Sequence, residues 1–135
     1  MEIAVAFTGG KKVEVRVRDF RIETDQPAES GGSAAAPAPF DLFLGSLAAC
    51  AGYYVLAFCQ ARGISADGIG VVMRTETDPL KKMIGKVAIE IMLPSEFPEK
   101  YRAAVVRAAD QCSVKKHILD PPVFDTYATV GGSRV

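Results

Sequence analysis

The side chains with a case for chemistry are three cysteines, Cys50, Cys59 and Cys112, a single histidine, and the basic run Lys115, Lys116, His117 that contains it. Cys50 and Cys59 lie nine residues apart in a stretch, Leu42 to Ala61, that holds no charged residue. On a helix, nine steps of ~100° put them on opposite faces and ~13 Å apart along the axis. A disulfide needs Cα atoms within ~7 Å, so these two cannot pair. Any intrachain pair must include Cys112, with either Cys50 or Cys59, and spacing does not choose between them. All three could instead be small buried hydrophobes, a common fate of cysteine. Two features favour reactivity. Cys112 falls on the inner face of its expected helix, just before the basic run, and Cys50 is flanked by Ala48, Ala49, Ala51 and Gly52, which let other groups approach. The thiolate is the reactive form, and a nearby cation lowers the thiol pKa. Cys50 sits about three turns into its helix, beyond the reach of the N-terminal dipole. Its activation must come from a side chain elsewhere in the fold. His117 by itself reads as a surface or structural residue. Lys115 and Lys116 read as a solvated helix end, and Asp41 as an acid favouring a helix N-terminus.

Other chemistries fit poorly. One histidine and scattered cysteines do not make a structural zinc site. Thr8-Gly9-Gly10-Lys11 lacks the spacing of a phosphate-binding loop. A formal net charge of zero gives no reason to expect nucleic acid or an acidic membrane surface as partner. An odd cysteine count without a Cys-x-x-Cys pair argues against a secreted disulfide framework. The start, Met1 to Val5, has neither the basic region nor the apolar run of a signal peptide, so a cytoplasmic location is expected. With 135 residues, 49% hydrophobic and 24% charged, the expectation is one domain, residues 1–135, with a core of its own.

The element that must carry Cys50 runs from Pro39 to Arg62. Pro39 suits a first turn, where its missing N–H costs nothing, and Gly63 suits a left-handed terminator. Such a helix is roughly 36 Å long and apolar all round, so every face needs cover. Its length matches a membrane span. Its Ala, Gly and Ser content, and its place among alternating strand patterns, favour a buried central helix that a second subunit helps to cover. Before it, Glu2 to Phe7 and Lys12 to Arg18 read as a hairpin about Thr8 to Lys11, with Val13, Val15 and Val17 on one face. Phe20 to Thr24 continues as a third strand, and Gln26 to Ala38 is a loop rich in Pro, Gly, Ala and Ser. After it, Ile69 to Thr77 and Met83 to Leu93 read as strands. Ser95 to about Leu119 reads as one helix with the stripe Tyr101, Val105, Ala108, Cys112, and Val123 to Val130 as a last strand before a frayed tail. The order is βββ-α-ββ-α-β, an α+β arrangement.

These residues resemble a known family. Pro39-Phe-Asp-Leu-Phe-Leu-Gly-Ser-Leu-Ala-Ala-Cys50 resembles the Pro-x-[Glu/Asp]-Leu…Leu-Ala-x-Cys signature of the OsmC/Ohr family, and Cys112-Ser-Val-Lys-Lys-His-Ile its second motif, Cys-[Ser/Pro]-Val-x-x-x-[Ile/Leu]. Thr8 to Lys11 resembles the glycine turn after its first strand, and the element order is similar. The resemblance implies an intertwined homodimer, with antiparallel-rich sheets around long central helices. It implies a thiol-dependent peroxidase of oxidative-stress defence that reduces organic hydroperoxides and hydrogen peroxide. Cys50 would be peroxidatic, Cys112 resolving, and Cys59 packing. A dithiol such as a lipoylated protein would be the reductant, with no metal or prosthetic group.

The sequence departs from the family pattern at two places. The best-studied members use an arginine near the first turn and a glutamate ten residues before the first cysteine; Lys11 and Phe40 stand here, with Asp41 beside Phe40. Lysine lacks arginine's bidentate fork, and Phe40 accepts no salt bridge. The arginine–glutamate clamp is thus absent or rebuilt, and Lys11 and Asp41 are the polar candidates to partner the thiolate. A non-catalytic alternative uses Phe40, Phe43, Tyr53 and Tyr54 as walls of a pocket for a small apolar ligand. A second alternative is a thiol redox sensor.

Overall fold

The computed structural model describes every residue from Met1 to Val135. The chain is α+β, with antiparallel sheets and three helices. It divides into two compact units, Met1–Ala49 and Cys50–Val135, and the division falls inside the long helix.

In the first unit, β1 (Ile3–Gly9), β2 (Lys12–Val17) and β3 (Phe20–Thr24) form an antiparallel meander in that order. The register lines up Ile3, Val17 and Phe20 in one row, Val5, Val15 and Ile22 in the next, and Phe7 and Val13 with Thr24 in the third. Side chains alternate along each strand, so these rows share one face of the sheet. Glu14, Arg16 and Arg21 share the other, where Glu14 pairs with Arg16 at 2.6 Å and with Arg21 at 3.8 Å. The apolar face is open: Phe7 is 88% exposed, and Ile3, Val5, Phe20 and Ile22 are exposed with it.

The loop from residue 25 to 38 is more ordered than its composition suggests. Asp25, only 1% exposed, sits at its centre. Its carboxylate accepts from the N–H groups of Gln26 (2.8 Å), Ser33 (3.0 Å) and Ala35 (3.1 Å), and from the Ser33 hydroxyl (2.6 Å). Gly32 passes so close to the chain that a Cβ there would lie 1.9 Å from the Gln26 carbonyl oxygen. The loop delivers the chain to α1 (Pro39–Gln60), where the Asp41 carboxylate accepts from the Ala38 N–H at 2.9 Å. At the other end Gly63 takes φ +63°, and Gly63 and Ile64 donate to the carbonyls of Gln60 and Cys59. This is the left-handed termination that the glycine predicts.

In the second unit, β4 (Gly70–Asp78) and β5 (Met83–Met92) pair antiparallel, with Val71 opposite Ile91 and Met73 opposite Ile89. Val71, Ile89 and Ile91 pack against a core made by Ala51, Val55, Phe58 and Cys59 of α1 together with Phe97, Val105 and Ala109. α1 is therefore buried on one side. Phe40, Phe43, Tyr53 and Leu56 remain exposed, and by length and composition alone the helix could also cross a membrane.

Two expected elements differ. The helix expected over residues 95–119 is two: α2 (Glu99–Ala109) and α3 (Ser113–Leu119). The chain breaks at Asp110 to Cys112, where Cys112 leaves helical geometry (φ −46°, ψ 116°) and its sulfur accepts from the Lys115 N–H at 3.4 Å. Cys112 is thus the cap of α3 and not the end of the α2 stripe. The capping hydrogen bond, with an ion pair from Lys115 back to Asp110 at 2.6 Å, supports the new start that an uninterrupted helix would not need. The strand expected over residues 123–130 is reduced to β6 (Thr129–Val130). It pairs with β7 (Ser133–Arg134) around Gly131 and Gly132, both at positive φ, so the tail turns back instead of fraying. Val123, 97% exposed, and Phe124 precede this hairpin without strand geometry, since no strand pairs with them.

Candidate functional site

α1 presents Cys50, half-buried, from its fourth turn, and the α2–α3 break presents Cys112, which is 1% exposed. Their side chains are hydrogen-bonded to one another. The spacing of the sequence leaves Cys50 and Cys59 as alternative neighbours of Cys112; the fold brings Cys50. Both are thiols here, and no disulfide joins them. The Ser113 hydroxyl lies 3.7 Å from the Cys50 sulfur. Ser113 belongs to the short turn that begins α3, so the helix break that moves Cys112 also places its neighbour over Cys50.

The two thiols are held in opposite electrostatic conditions. Burial opposes ionisation of Cys50 and is the largest single influence on it. The Val114 N–H, the Cys112 thiol, and the hydroxyl and N–H of Ser113 together outweigh it and hold the Cys50 thiol below its ordinary value. Each of these donors favours the anion. Cys112 is pushed up, first by burial and then by its hydrogen bond to Cys50, with the Lys115 N–H acting in the other direction. One thiol is biased towards thiolate while its neighbour stays protonated and donates to it. That arrangement can support nucleophilic attack by Cys50 followed by condensation with Cys112.

Cys59 has no part in this cluster. It is fully buried in the core, and burial raises its thiol, with Arg62 partly opposing. The other predicted residues are placed as follows. Lys11 is exposed, with its Cε 3.7 Å from where a Gly31 side chain would begin. Asp41 is engaged at the start of α1. Phe40 and Phe43 stack at 5.5 Å, and Tyr53 and Tyr54 meet edge-on at 5.3 Å, as two separate pairs. A cavity of about 450 Å³ at the far end of α1 is lined by Ile64, Ser65, Asp67, Glu96 and Phe97 among others, and by none of these aromatic residues. No group of three or more His, Cys, Asp and Glu side chains is placed to hold a metal ion.

Sequence reasoning missed Ser113, the Val114 N–H and Asp25. A helix read as continuous through Cys112 turns Ser113 ~100° away from it. The available signal was a sulfur and a hydroxyl side by side at Cys112 and Ser113 after an Asp-Gln pair, a sequence able to start a helix as well as to continue one.

The OsmC family model, described as OsmC-like protein, matches residues 30–126. The comparison with curated proteins gives no match. Among solved structures, an osmotic stress induced and detoxification response protein from Psychrobacter arcticus 273-4 superposes with a TM-score of 0.71 at 22% identity, over 84% of this chain and 85% of that one. An organic hydroperoxide resistance protein OsmC from Legionella pneumophila gives 0.56 at 19% identity, covering 87% of each chain. The organic hydroperoxide resistance protein OhrB of Bacillus subtilis gives 0.52 at 18% identity, over 86% of this chain and 88% of that one. At these identities the likeness is one of fold.

Proposed function

The chain belongs to the OsmC-like protein family, and on that footing we propose that it is a thiol-dependent peroxidase acting on organic hydroperoxides and hydrogen peroxide. The observation that carries this reading is the asymmetric pair: Cys50 held towards thiolate, with a protonated Cys112 hydrogen-bonded to it. The names of the Legionella and Bacillus proteins, both organic hydroperoxide resistance proteins, support the substrate class.

In this mechanism the Cys50 thiolate attacks a peroxide oxygen. An S–O bond forms, the O–O bond breaks, and the alkoxide leaves as the alcohol after taking a proton, or as water from hydrogen peroxide. Cys50 is then a sulfenic acid. The Cys112 sulfur attacks the Cys50 sulfur, the S–O bond breaks, and hydroxide leaves as water with the Cys112 proton. A dithiol, such as a lipoylated protein, reduces the resulting disulfide by exchange and is itself oxidised to a disulfide. No metal or prosthetic group takes part. Lys11 and Asp41 remain candidates to support the thiolate. The donors at Cys112, Ser113 and Val114 supply support of the kind the missing arginine–glutamate clamp would give.

The working form is a single OsmC-like domain in a cytoplasmic homodimer. The open apolar rows on the β1–β3 sheet and the exposed side of α1 support this, since monomers rarely leave such patches uncovered. Consumption of cumene hydroperoxide with dihydrolipoamide as reductant tests the activity. The Cys50→Ser variant should fall to the rate of reductant alone, and a variant as fast as the wild type would remove the proposal.

A further inference from the structure

We propose that Ser113 is a positioning residue for the nucleophile, its hydroxyl donating to the Cys50 sulfur and holding the thiolate in place. The oxygen and sulfur are 3.7 Å apart, and no other hydrogen-bond partner of that hydroxyl is present. A thiolate has no proton to give, so once Cys50 ionises the hydroxyl is the donor.

The backbone leaves Ser113 little freedom to be elsewhere. It follows Cys112 directly, and the Cys112 sulfur is tied to the Lys115 N–H at 3.4 Å while the Cys112 carbonyl accepts from Lys116 at 3.1 Å. One turn on, the Nδ1–H of His117 donates to the Ser113 carbonyl at 2.7 Å. The lone histidine thus serves this serine. The carbonyl oxygen only accepts, so the bond needs a proton on Nδ1, which the imidazolium and one neutral tautomer both carry. The titratable neighbour of Cys50 is the Cys112 thiol. Cys112 has a second task, since its sulfur must leave the hydrogen bond to form the disulfide. Ser113 has no such task, and its hydroxyl can remain as a donor while Cys112 reacts.

The inference rests on the peroxidase reading for its consequence in turnover, but its direct readout needs no peroxide. Alkylation of Cys50 by iodoacetamide, followed by peptide mapping across pH, gives the Cys50 midpoint in the full chain. In Ser113→Ala the midpoint should move up by about one pH unit, a tenfold fall in thiolate at a pH below it. A more basic thiolate is also more nucleophilic, so the alkylation rate there should fall only ~3-fold, which makes the midpoint the better readout. Ser113→Gly should behave like Ser113→Ala, and Ser113→Thr, which keeps the hydroxyl, should restore the wild-type curve. A Ser113→Ala or Ser113→Gly curve that coincides with the wild type, or a Ser113→Thr curve that follows Ser113→Ala, overturns the proposal. If the wild type consumes no peroxide yet the hydroxyl-less variants still shift, the peroxidase reading fails and the positioning role stands.

Discussion

At the scale of single residues, Cys50 and Cys112 differ by what donates to each sulfur. Cys112 is almost fully buried and its S–H donates a hydrogen bond to Cys50, so its removal has two separable effects. Cys112→Ala deletes both the sulfur proposed to resolve the sulfenic acid and a donor to Cys50; its Cys50 alkylation midpoint should rise. Cys112→Ser keeps a donor, so the midpoint should stay near the wild-type position. Both variants should accumulate Cys50 sulfenic acid on exposure to peroxide, trapped with dimedone, because no thiol is left to condense with it. Equal midpoints in Cys112→Ala and the wild type would show that the thiol contributes nothing to the anion. Because Cys50 ionises below its ordinary value, its alkylation should rise with pH through a midpoint lower than that of Cys112. The spacing of the cysteines excluded one pairing and left two; the choice between them needed the α2–α3 break, which three polar or small residues in a row do not announce.

At the scale of elements, the loop between β3 and α1 is held by one carboxylate. The Ser33 hydroxyl is the largest influence on Asp25, with the Ala35 N–H next; together with the other donors these outweigh burial and hold the carboxyl far below the usual range. The folded value lies below the unfolded one, so the unfolded chain binds this proton first. The stabilisation is complete above the ordinary carboxyl value of about 4 and is lost as pH falls below it towards the folded value. Thermal melts between about pH 5 and about pH 2 should show this loss in the wild type. Asp25→Asn should melt lower at the upper end and lose less on acidification, and parallel curves would refute the assignment. Gly32→Ala should also destabilise the loop, since its Cβ meets backbone and not a side chain that can turn away. In the second unit, Phe97 is buried in the core while Leu80 lies in the exposed β4–β5 turn. Phe97→Ala should cost about 3–5 kcal/mol in chemical denaturation, and Leu80→Ala about 0.5 kcal/mol or less. The alternation of β1 to β3 and the length of α1 were legible because each is a local period. The Asp25 cluster was not, because its partners are eight and ten residues away along a loop with no period at all.

At the scale of the whole molecule, the proposed homodimer would cover the open sheet face and the open side of α1 with a second copy. Sedimentation should give about twice the 14.4 kDa of one chain. Phe7→Lys places a charge at the most exposed side chain of that apolar face and should shift the population towards monomer or aggregate. A wild type that sediments as one chain would remove the dimer.

The sequence by itself determined what local rules and spacing can determine: strands from a period of two, the start and stop of α1 from Pro39 and Gly63, the exclusion of a Cys50–Cys59 bond, and the family to which the motifs belong. Tertiary structure decided the rest. Whether Cys112 ends one helix or begins another depends on a capping bond and on packing against α1, and that choice brings Cys112, Ser113 and Val114 to Cys50. The polarity of the pair follows from donors 62 to 64 residues away in the chain. Hydrogen bonds of that kind have no signature in composition or period, because they arise only when distant backbone is already in place.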